Sequence, residues 1–430
     1  MNIAWVSQSL PYLPSADGFA IQAGHLIPLL AQRHRIDLIS LIRDGDEAHL
    51  DWASRYCASV QTIRMGRQRL SRRLANFVSG YLGGRHLIHR REMQSILRTG
   101  LASRQWDVLH VEGGFAAGLI PEDLPIPKVL AEHDSEVLKA EEILGGQTSL
   151  RTRLHYTVRR YHEPRYERLV FPRFDRIVMV AERDVAFNRK LFPEAKFSCI
   201  PMGVDCNHYQ PAPVAKEPFA LVFHGNLNYP PNLEAAFEFV DHVLPLLRVR
   251  QPNVNFHLVA ANPPLEVQKW ASRPDIRLSI NLSDVRPAIC SAIIYVSAVR
   301  RGSGISNKIL EAMALRMPIV CYQGSAAGID CVSGDHLLFA HDPEDFAAKV
   351  LNLLTNPELA ERLACRGREL VQDKYGWEVR AAEFERLYEQ LVDARCRTTG
   401  GGKSQRRLTW QPISLMKAHT AQPGGRRGKP

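Results

Sequence analysis

The sequence of residues 301–314 is Arg301-Gly302-Ser303-Gly304-Ile305-Ser306-Asn307-Lys308-Ile309-Leu310-Glu311-Ala312-Met313-Ala314, a glycine-rich loop followed by a helical pattern. Apolar runs at residues 292–296 and 318–320 flank it, and both have the length and β-branched content of buried strands. The order is therefore strand, glycine loop, helix and strand. In an open α/β sheet, this order places the loop at the carboxyl end of a strand, where such folds bind ligands.

The side chains of Lys308 and Glu311 are three residues apart and so share one face of the helix predicted at residues 306–317. Gly302 and Gly304 allow close backbone approach, and the unpaired N–H groups that follow the expected N-cap, Ser306, favour an anion. Lys308 would pair with phosphate, and Glu311 would accept hydrogen bonds from a ribose diol. This pattern suits a nucleoside diphosphate. It is equally compatible with a glycine turn, a weak Lys308–Glu311 ion pair and a helix that only packs.

The composition indicates a soluble globular protein with more than one core. The chain has 430 residues, of which 45% are hydrophobic and 23% charged. No run approaches the roughly 20 apolar residues that span a bilayer, and the start resembles a strand, which predicts a cytoplasmic location. The eight cysteines form no Cys-x-x-Cys pair, and neither they nor the histidines have metal-ligand spacing. We therefore expect reduced thiols, no cofactor and no protein-bound metal.

The net charge of +10 comes almost entirely from the C-terminal tail, and one further segment is locally basic. Residues 395–430 contain nine Lys or Arg and no acid, so the rest of the chain is nearly neutral, and the tail at 397–430 is predicted to be disordered. Residues 64–104 contain ten arginines and one acid, and apolar residues at helical spacing within 74–82 predict a basic amphipathic helix. One interpretation is a helix that packs on the sheet with its arginines in solvent. The other is a surface that binds anionic lipid on the inner face of the membrane or a lipid-diphosphate acceptor, and the two interpretations are compatible. We expect no specific nucleic-acid partner.

Two alternating strand and helix blocks predict two doubly wound α/β domains that face each other across a cleft. Strands are predicted at residues 2–6, 36–42, 60–65, 107–111, 128–132, 176–180, 219–224, 254–260, 275–280, 292–296, 319–322 and 337–340. One long helix is expected at 136–168, interrupted near Pro164. The predicted units are a first domain at 1–198, a linker at 199–216, a second domain at 217–375 and a helix at 376–396 that crosses back.

The chain resembles the retaining glycosyltransferases of the GT-B fold, family 4, over nearly its whole length up to the tail. Three stretches carry the likeness: Pro201-Met202-Gly203-Val204-Asp205 in the linker, Gly225-Asn226-Leu227-Asn228-Tyr229-Pro230-Pro231-Asn232, and the glycine loop with its helix through Ala314. The chain is most similar to the subgroup that builds bacterial exopolysaccharides. The resemblance implies two Rossmann-like domains and a metal-independent hexosyltransferase.

The resemblance also implies a division of roles between the two domains. The second domain would bind the nucleotide-sugar donor, which is a substrate, and the first domain would bind a glycan or lipid-linked acceptor. Glu311 matches the acid that binds the donor ribose, and Gly18 matches the loop that closes on the diphosphate. The positions implied to contact the donor are Gly18, Gly225, Asn226, Gly302, Ser303, Gly304, Lys308 and Glu311.

Two positions depart from the pattern of the family. Many members carry a second Glu eight residues before the ribose-binding one, and this chain has Ser303 there. The subgroup with a Gly-rich loop generally lacks that Glu, but the change leaves the donor sugar open. The turn after the strand at 254–260 has Asn262 where a glycine is usual.

Polar residues at two strand ends of the first domain are the catalytic candidates beside Lys308. His110 and Glu112 end one predicted strand, and His133 and Asp134 follow the next. In a parallel sheet both pairs would point toward the cleft and orient sugar or acceptor, although such residues also cap neighbouring loops. Two other functions stay open: an epimerase, or a related enzyme, that uses the same cleft, and a non-catalytic sugar-nucleotide-binding partner of a polysaccharide assembly.

Overall fold

The structure is a computed structural model that describes residues 1–15, 17–65, 89–104, 106–146 and 149–398. The basic helix expected within residues 74–82 and nearly all of the tail at 397–430 lie outside the described residues. No helix in the described part of the chain is both long and apolar enough to cross a membrane.

Seven parallel strands form the sheet of the first domain. They are β1 (Asn2–Ser7), β2 (Arg35–Ile42), β3 (Ser59–Arg64), β4 (Val108–Glu112), β5 (Lys128–Ala131), β6 (Arg176–Met179) and β7 (Phe197–Cys199). Their order across the sheet is β3-β2-β1-β4-β5-β6-β7. Side chains pack into apolar clusters on both faces, which explains why the central strands are continuous apolar runs.

Helices of the first domain connect these strands and cover both faces of the sheet. They are α1 (Gly18–Ala31), α2 (Leu50–Tyr56), α3 (Arg90–Arg104), α4 (Gly114–Ala117), α5 (Glu136–Leu144), α6 (Leu150–Val170) and α7 (Glu182–Leu191), with 3-10 turns at Asp46–His49 and Phe171–Arg173.

Six parallel strands form the sheet of the second domain. They are β8 (Ala220–Asn226), β9 (Asn255–Ala261), β10 (Ile276–Ile280), β11 (Ile294–Ser297), β12 (Ile319–Tyr322) and β13 (Leu338–Ala340), in the order β10-β9-β8-β11-β12-β13. Its helices are α8 (Pro230–Glu238), a π-helical turn (Phe239–Val243), α9 (Leu244–Arg250), α10 (Leu265–Gln268), α11 (Arg286–Ser291), α12 (Asn307–Ala314), α13 (Pro343–Thr355) and α14 (Pro357–Lys374), with 3-10 turns at Lys269–Ser272 and Gln323–Ala326.

The chain passes between the domains twice, and the two crossings run side by side. Val204 forms a parallel bridge with Gly376, and its N–H donates to the Tyr375 carbonyl oxygen at 2.7 Å. Gly203 lies so close to the indole of Trp377 that a Cβ there would stand 2.5 Å from a ring carbon. The helix α15 (Trp377–Thr398) begins at this point.

Helix α15 completes the core of the first domain rather than that of the second. Phe384 and Tyr388 are 1% and 0% exposed and belong to an apolar cluster on one face of the first sheet. At the edge of the contact, Glu385 accepts from Arg33 at 2.9 Å and pairs with His34 at 2.8 Å. The first domain therefore depends on residues that follow the whole second domain in the chain.

All twelve predicted strands are present, each within two residues of its predicted bounds. Strand β7 was not predicted, because a strand of three residues is too short to show a periodic pattern.

The prediction of one helix at residues 136–168 with a break near Pro164 is wrong. Helix α5 ends before Gly145, Ser149 caps α6 by accepting from the Thr152 N–H at 3.2 Å, and Pro164 lies inside α6. Residues 145–146, both glycine, break the helix because glycine has the higher entropic cost of ordering.

We expect Phe384→Ala to destabilise the first domain by roughly 3–5 kcal/mol, because it leaves a cavity in a fully packed core. The exposed Gln390→Ala on the same helix is the control and should change stability by less than about 0.5 kcal/mol. Urea unfolding followed by circular dichroism measures both. Equal effects of the two variants would mean that α15 only rests on the domain surface.

Candidate functional site

A cavity of about 360 Å³ lies between the two domains, and we call it the interdomain cavity. The loop at residues 13–15 of the first domain, linker residues 203–205 and 208–209, and two side chains of α12, Asn307 and Glu311, line it. Its volume is in the range of small-molecule sites. The glycine-loop helix predicted to bind a nucleotide therefore does face a cavity.

The carboxylate of Glu311 is oriented by two aromatic side chains that sequence inspection did not single out. His224 Nε2 lies 2.8 Å from Glu311 Oε2, and His224 Nδ1 lies 3.0 Å from the Tyr295 hydroxyl. Burial raises the pKa of Tyr295 well above its ordinary value, so its hydroxyl stays protonated and donates to Nδ1. This leaves the Nε2–H to donate to Glu311.

Tyr209 faces the same carboxylate from the linker. Burial, and then the negative charge of Glu311, raise the pKa of the Tyr209 phenol above its ordinary range. The hydroxyl is therefore a proton donor at neutral pH, and Glu311 is the acceptor toward which it is directed. The second domain and the linker together fix this carboxylate at the cavity wall.

Lys308 stands at the start of α12, where an anion would be stabilised by the helix dipole. Burial lowers the pKa of Lys308 to about 8, against the opposing charge of Glu311, which raises it. Ser306 occupies the N-cap position as predicted, but its side chain makes no capping hydrogen bond to the described residues. The first N–H groups of α12 are thus left for another acceptor.

The N-terminus of α1, unlike that of α12, has a side-chain cap. Asp17 Oδ1 accepts from the N–H groups of Phe19 and Ala20 at 2.9 and 3.2 Å. Gly18 itself lies against His133, whose Nδ1 would stand 3.0 Å from a Cβ at that position. A carboxylate of the protein already satisfies this helix start.

The glycine loop docks on the first domain. The Gly304 N–H donates to Asp184 Oδ2 at 3.1 Å, and Arg183 Nη1 donates to the Gly302 carbonyl oxygen at 3.0 Å. Gly304 has a φ of 67°, and the Asp134 carboxylate occupies the space that a Cβ would need. Ser303 lies beside the hydroxyl of Tyr229. Only glycine fits at position 304 in this closed arrangement.

Asp184 joins the two domains through backbone groups. It is 0% exposed, and its Oδ1 accepts from the Ser135 N–H at 2.7 Å while its Oδ2 accepts from Gly304. Burial raises its pKa to about 6, although these two hydrogen bonds oppose the shift. Its position on α7, far from any predicted motif, gave no sequence signal.

Asp134 reaches the glycine loop of the second domain, His133 lies against the start of α1, and Glu112 is enclosed in the first domain. His133 stacks on Phe19 with ring centroids 3.9 Å apart, and burial lowers its pKa to about 4, so it is neutral at pH 7. Asp134 pairs with Lys139 at 3.1 Å, next to Gly304.

The expectation that His110 and Glu112 point toward the cleft needs correction. Both are 0% exposed, and Tyr388 on α15 shares a 2.7 Å hydrogen bond with His110 Nδ1. The reason is that α15 covers this part of the sheet, and burial raises the pKa of Glu112 well above its ordinary value. Glu112 is therefore enclosed in the first domain in this structure.

Gly225 and Asn226 end β8 and form a network with neighbouring asparagines. Asn232 Nδ2 donates to the Asn226 carbonyl oxygen at 2.9 Å and lies where a Cβ on Gly225 would be crowded. Asn262 adopts a φ of 52°, a conformation that asparagine tolerates, so it replaces the glycine usual in the family without loss of the turn. Gly225 and Asn226 directly follow His224, which contacts Glu311 of α12.

The described residues include no group of three or more His, Cys, Asp or Glu side chains arranged to hold a metal ion. The eight cysteines are unpaired in the structure.

Comparison with known proteins finds similarity in the second domain and in the fold. Residues 218–356 match the family model described as Glycosyl transferases group 1. A protein described as "Uncharacterized 44.6 kDa protein in cps region", from Klebsiella pneumoniae, is 22% identical over 402 residues, which cover 87% of this chain and 96% of that one. A phosphatidyl-myo-inositol mannosyltransferase from Mycolicibacterium smegmatis is 25% identical over 217 residues, or 48% of this chain and 55% of that protein.

Solved glycosyltransferase structures share the arrangement of two facing parallel sheets, so the GT-B prediction is confirmed. A sucrose-phosphate synthase from Thermosynechococcus elongatus has a TM-score of 0.64 at 17% identity, over 91% of this chain and 99% of that one. The Anabaena protein HepE in complex with UDP has a TM-score of 0.60 at 13% identity, over 91% and 100% of the two chains. HepE has also been solved with UDP-glucose.

We expect Asp184→Asn to gain stability relative to the unaltered protein as the pH rises. The folded-state pKa of Asp184, about 6, lies above the ordinary value of 3.8, so its contribution is favourable at low pH and is lost as the pH rises through about 6. Asparagine cannot ionise, and it keeps an acceptor oxygen. Melting temperatures at about pH 5 and about pH 7.5 measure the change, with exposed Glu182→Gln as control. A variant-to-parent difference that stays constant across this range would contradict the assignment.

Proposed function

We propose that the chain is a retaining glycosyltransferase that moves a sugar from a nucleoside-diphosphate donor to a glycan or lipid-linked acceptor. The observation that carries the proposal is the wall of the interdomain cavity. There, an oriented carboxylate, Glu311, stands one turn from Lys308 and an uncapped helix start. This combination suits a ribose diol and a diphosphate, and it lies in the domain that matches the Glycosyl transferases group 1 model.

Glu311 would accept hydrogen bonds from the ribose hydroxyls. His224 donates to one of its oxygens from the side and fixes the direction of the carboxylate, so little rotamer entropy is lost when a nucleoside binds. Asn307 also lines the cavity, and its buried Oδ1 has no hydrogen-bond partner among the described residues. An unsatisfied polar atom in a cavity wall is the kind of group that a polar ligand would satisfy.

The diphosphate would lie at the start of α12. When the bond between the anomeric carbon and the phosphate oxygen breaks, negative charge grows on the leaving phosphate. Fixed N–H groups and the Lys308 ammonium stabilise that charge, which lowers the barrier without a protein-bound metal. The acceptor oxygen would then bond to the anomeric carbon on the face that the phosphate leaves, and its proton would pass to the departing phosphate oxygen. This route retains the anomeric configuration.

The first domain would supply the groups that position the acceptor. His133 is neutral at pH 7 because its pKa is lowered to about 4, and its Nε2 has no hydrogen-bond partner among the described residues. It can therefore accept a hydrogen bond from a sugar or acceptor hydroxyl. Asp134 is tied to Lys139 and would act as a positioning group beside Gly304.

A role in cell-surface polysaccharide biosynthesis is part of the proposal. It is supported by the similarity over 87% of this chain to the Klebsiella pneumoniae protein of the cps region, together with the resemblance to the exopolysaccharide subgroup. Contact with anionic membrane through residues 64–104 and the tail stays a prediction that rests on their charge.

A thermal-shift panel of UDP-, GDP-, ADP- and TDP-sugars, with and without chelator, tests the donor site. A ligand at ~100 times its dissociation constant should stabilise the protein by about 2.7 kcal/mol. We expect one nucleotide to raise the melting temperature, Glu311→Ala to abolish the rise, and the exposed Glu344→Ala of the same domain to keep it. If no nucleotide raises the melting temperature of the parent protein, the assignment of the donor site is wrong. Binding without transfer to any acceptor extract would favour the non-catalytic partner, for which Ser303 is the sequence argument.

We expect the affinity for that nucleotide to fall as the pH rises through about 8, because the diphosphate binds the protonated form of Lys308. The fall above this pKa is at most about tenfold per pH unit. Titration calorimetry between about pH 7 and about pH 9 measures it. Lys308→Met should bind more weakly with a flatter profile, and the exposed Lys374→Met should keep the parent profile. An equally steep profile in Lys308→Met would rule out this lysine as the titrating group.

A further inference from the structure

Helix α6 has an exposed side that is rich in large apolar side chains. Ten such side chains are exposed in the described part of the chain, and four of them belong to this one helix: Leu150, Leu154, Tyr161 and Leu169. Leu150 and Leu154 are 88% and 69% exposed and, being four residues apart, lie on the same side of the helix. A concentration of this kind on one element indicates a contact with another surface.

Arginines border these leucines. Five arginines of α6 are exposed: Arg151, Arg153, Arg160, Arg165 and Arg168. None of the five forms an ion pair with a carboxylate of the described residues, and the ion pairs of α6 are made by Arg159 instead. The acids of the helix, Glu163 and Glu167, are both on its buried side. We call the exposed leucines and arginines together the α6 face, and this face carries positive charge without a carboxylate of its own helix.

Neither the segments outside the described residues nor a second copy of the chain complements the α6 face in charge. Residues 66–88 contain five arginines and no acid, and residues 399–430 contain seven Lys or Arg and no acid. A second copy docked through the same surface about a twofold axis would place arginine against arginine. Like charges disfavour all three contacts, so the partner that fits this face is anionic.

A lipid surface fits the α6 face better than another polyanion does. Leucines between arginines can enter the boundary between headgroups and acyl chains while the guanidinium groups bind lipid phosphates. A nucleic-acid backbone offers phosphate to the arginines but no apolar partner to the leucines. Helix α6 has 21 residues and is about 31 Å long, and Tyr166 and Val170 bury its opposite side in the first domain. The helix can therefore lie flat on a membrane while it stays packed on the sheet.

The start of α6 adjoins the junction of the two domains. The Gly145 carbonyl oxygen accepts a hydrogen bond from Arg301, which begins the glycine loop. A Cβ on Gly146 would stand 2.7 Å from the carboxylate of Glu234 in the second domain. A membrane in contact with Leu150 would therefore lie close to the edge of the cleft.

We propose that the α6 face docks on the anionic lipid surface of a membrane, with Leu150 and Leu154 inserted among the headgroups and the arginines on lipid phosphates. This surface is distinct from residues 64–104 and from the tail, for which a membrane contact was predicted from charge. The inference goes beyond the proposed function and does not depend on the donor site.

The electrostatic part of the proposal is tested by co-sedimentation of the full chain with vesicles of phosphatidylcholine, either alone or with about one-third phosphatidylglycerol. We expect binding to the anionic vesicles that weakens as salt is added. Arg153→Gln with Arg160→Gln should weaken this binding roughly 30-fold, because each basic residue near an anionic surface contributes about fivefold. Arg250→Gln with Arg362→Gln removes the same charge from exposed positions of the second domain and should keep parent binding.

The apolar part is tested with Leu150→Gln and Leu154→Gln together. Glutamine has nearly the helix propensity of leucine, so α6 should keep its structure. Binding to the anionic vesicles should fall about tenfold, because two apolar side chains no longer leave water. Val249→Gln with Leu265→Gln is the matched control, since these side chains of the second domain are 80% and 75% exposed, and it should bind as the parent does.

Melting temperatures show that each variant is folded, and the leucine and arginine pairs test the same face independently. Parent-like vesicle binding in both folded pairs would place the contact elsewhere and overturn the proposal. Loss in the arginine pair without loss in the leucine pair would overturn lipid insertion, and RNA that competes with the vesicles would then favour a nucleic-acid partner. The rise in melting temperature with nucleotide should be unchanged in every variant. Its absence from the parent protein would count against the proposed function and not against the α6 face.

Discussion

The backbone N–H of Gly304 donates to the carboxylate of Asp184, and this contact holds the glycine loop of one domain against the other. Asp184 also accepts from the N–H of Ser135, so one buried side chain satisfies amides from both sides of the cleft. The positive φ of Gly304 and the closeness of Asp134 leave no room for a side chain there. Together with the hydrogen bond from Arg183 to the Gly302 carbonyl oxygen, this contact holds the glycine loop against α7 of the first domain.

The two helix starts at the cleft have different electrostatic states. In the first domain, the Asp17 carboxylate accepts hydrogen bonds from the N–H groups that would otherwise bind an anion. The start of α12 has no side-chain cap among the described residues. Anion binding is therefore favoured on the side of the second domain.

The sequence was sufficient to predict the strands because buried parallel strands are continuous apolar runs, and it predicted α12 because a glycine loop precedes an amphipathic helix. The proximity of His224 and Tyr295 to Glu311 was not predictable, since these residues are brought together only by the order β8-β11 in the sheet and by the helix that follows β11. Glu112 was expected at the cleft because the carboxyl ends of parallel strands are normally exposed to a ligand. Helix α15, from the C-terminal part of the chain, covers this part of the sheet instead.

That helix sets the order in which the protein can be assembled. Tyr388 meets His110 across a separation of 278 residues, so the first domain contains contacts of very high contact order although its strands are local. During synthesis at about 5–20 residues per second, the ribosome would complete the second domain before α15 emerges, leaving the part of the first sheet that α15 covers exposed for roughly ten seconds or more. The first domain to be made is the last to be finished, and chaperones that shield apolar surface would act on it during that interval.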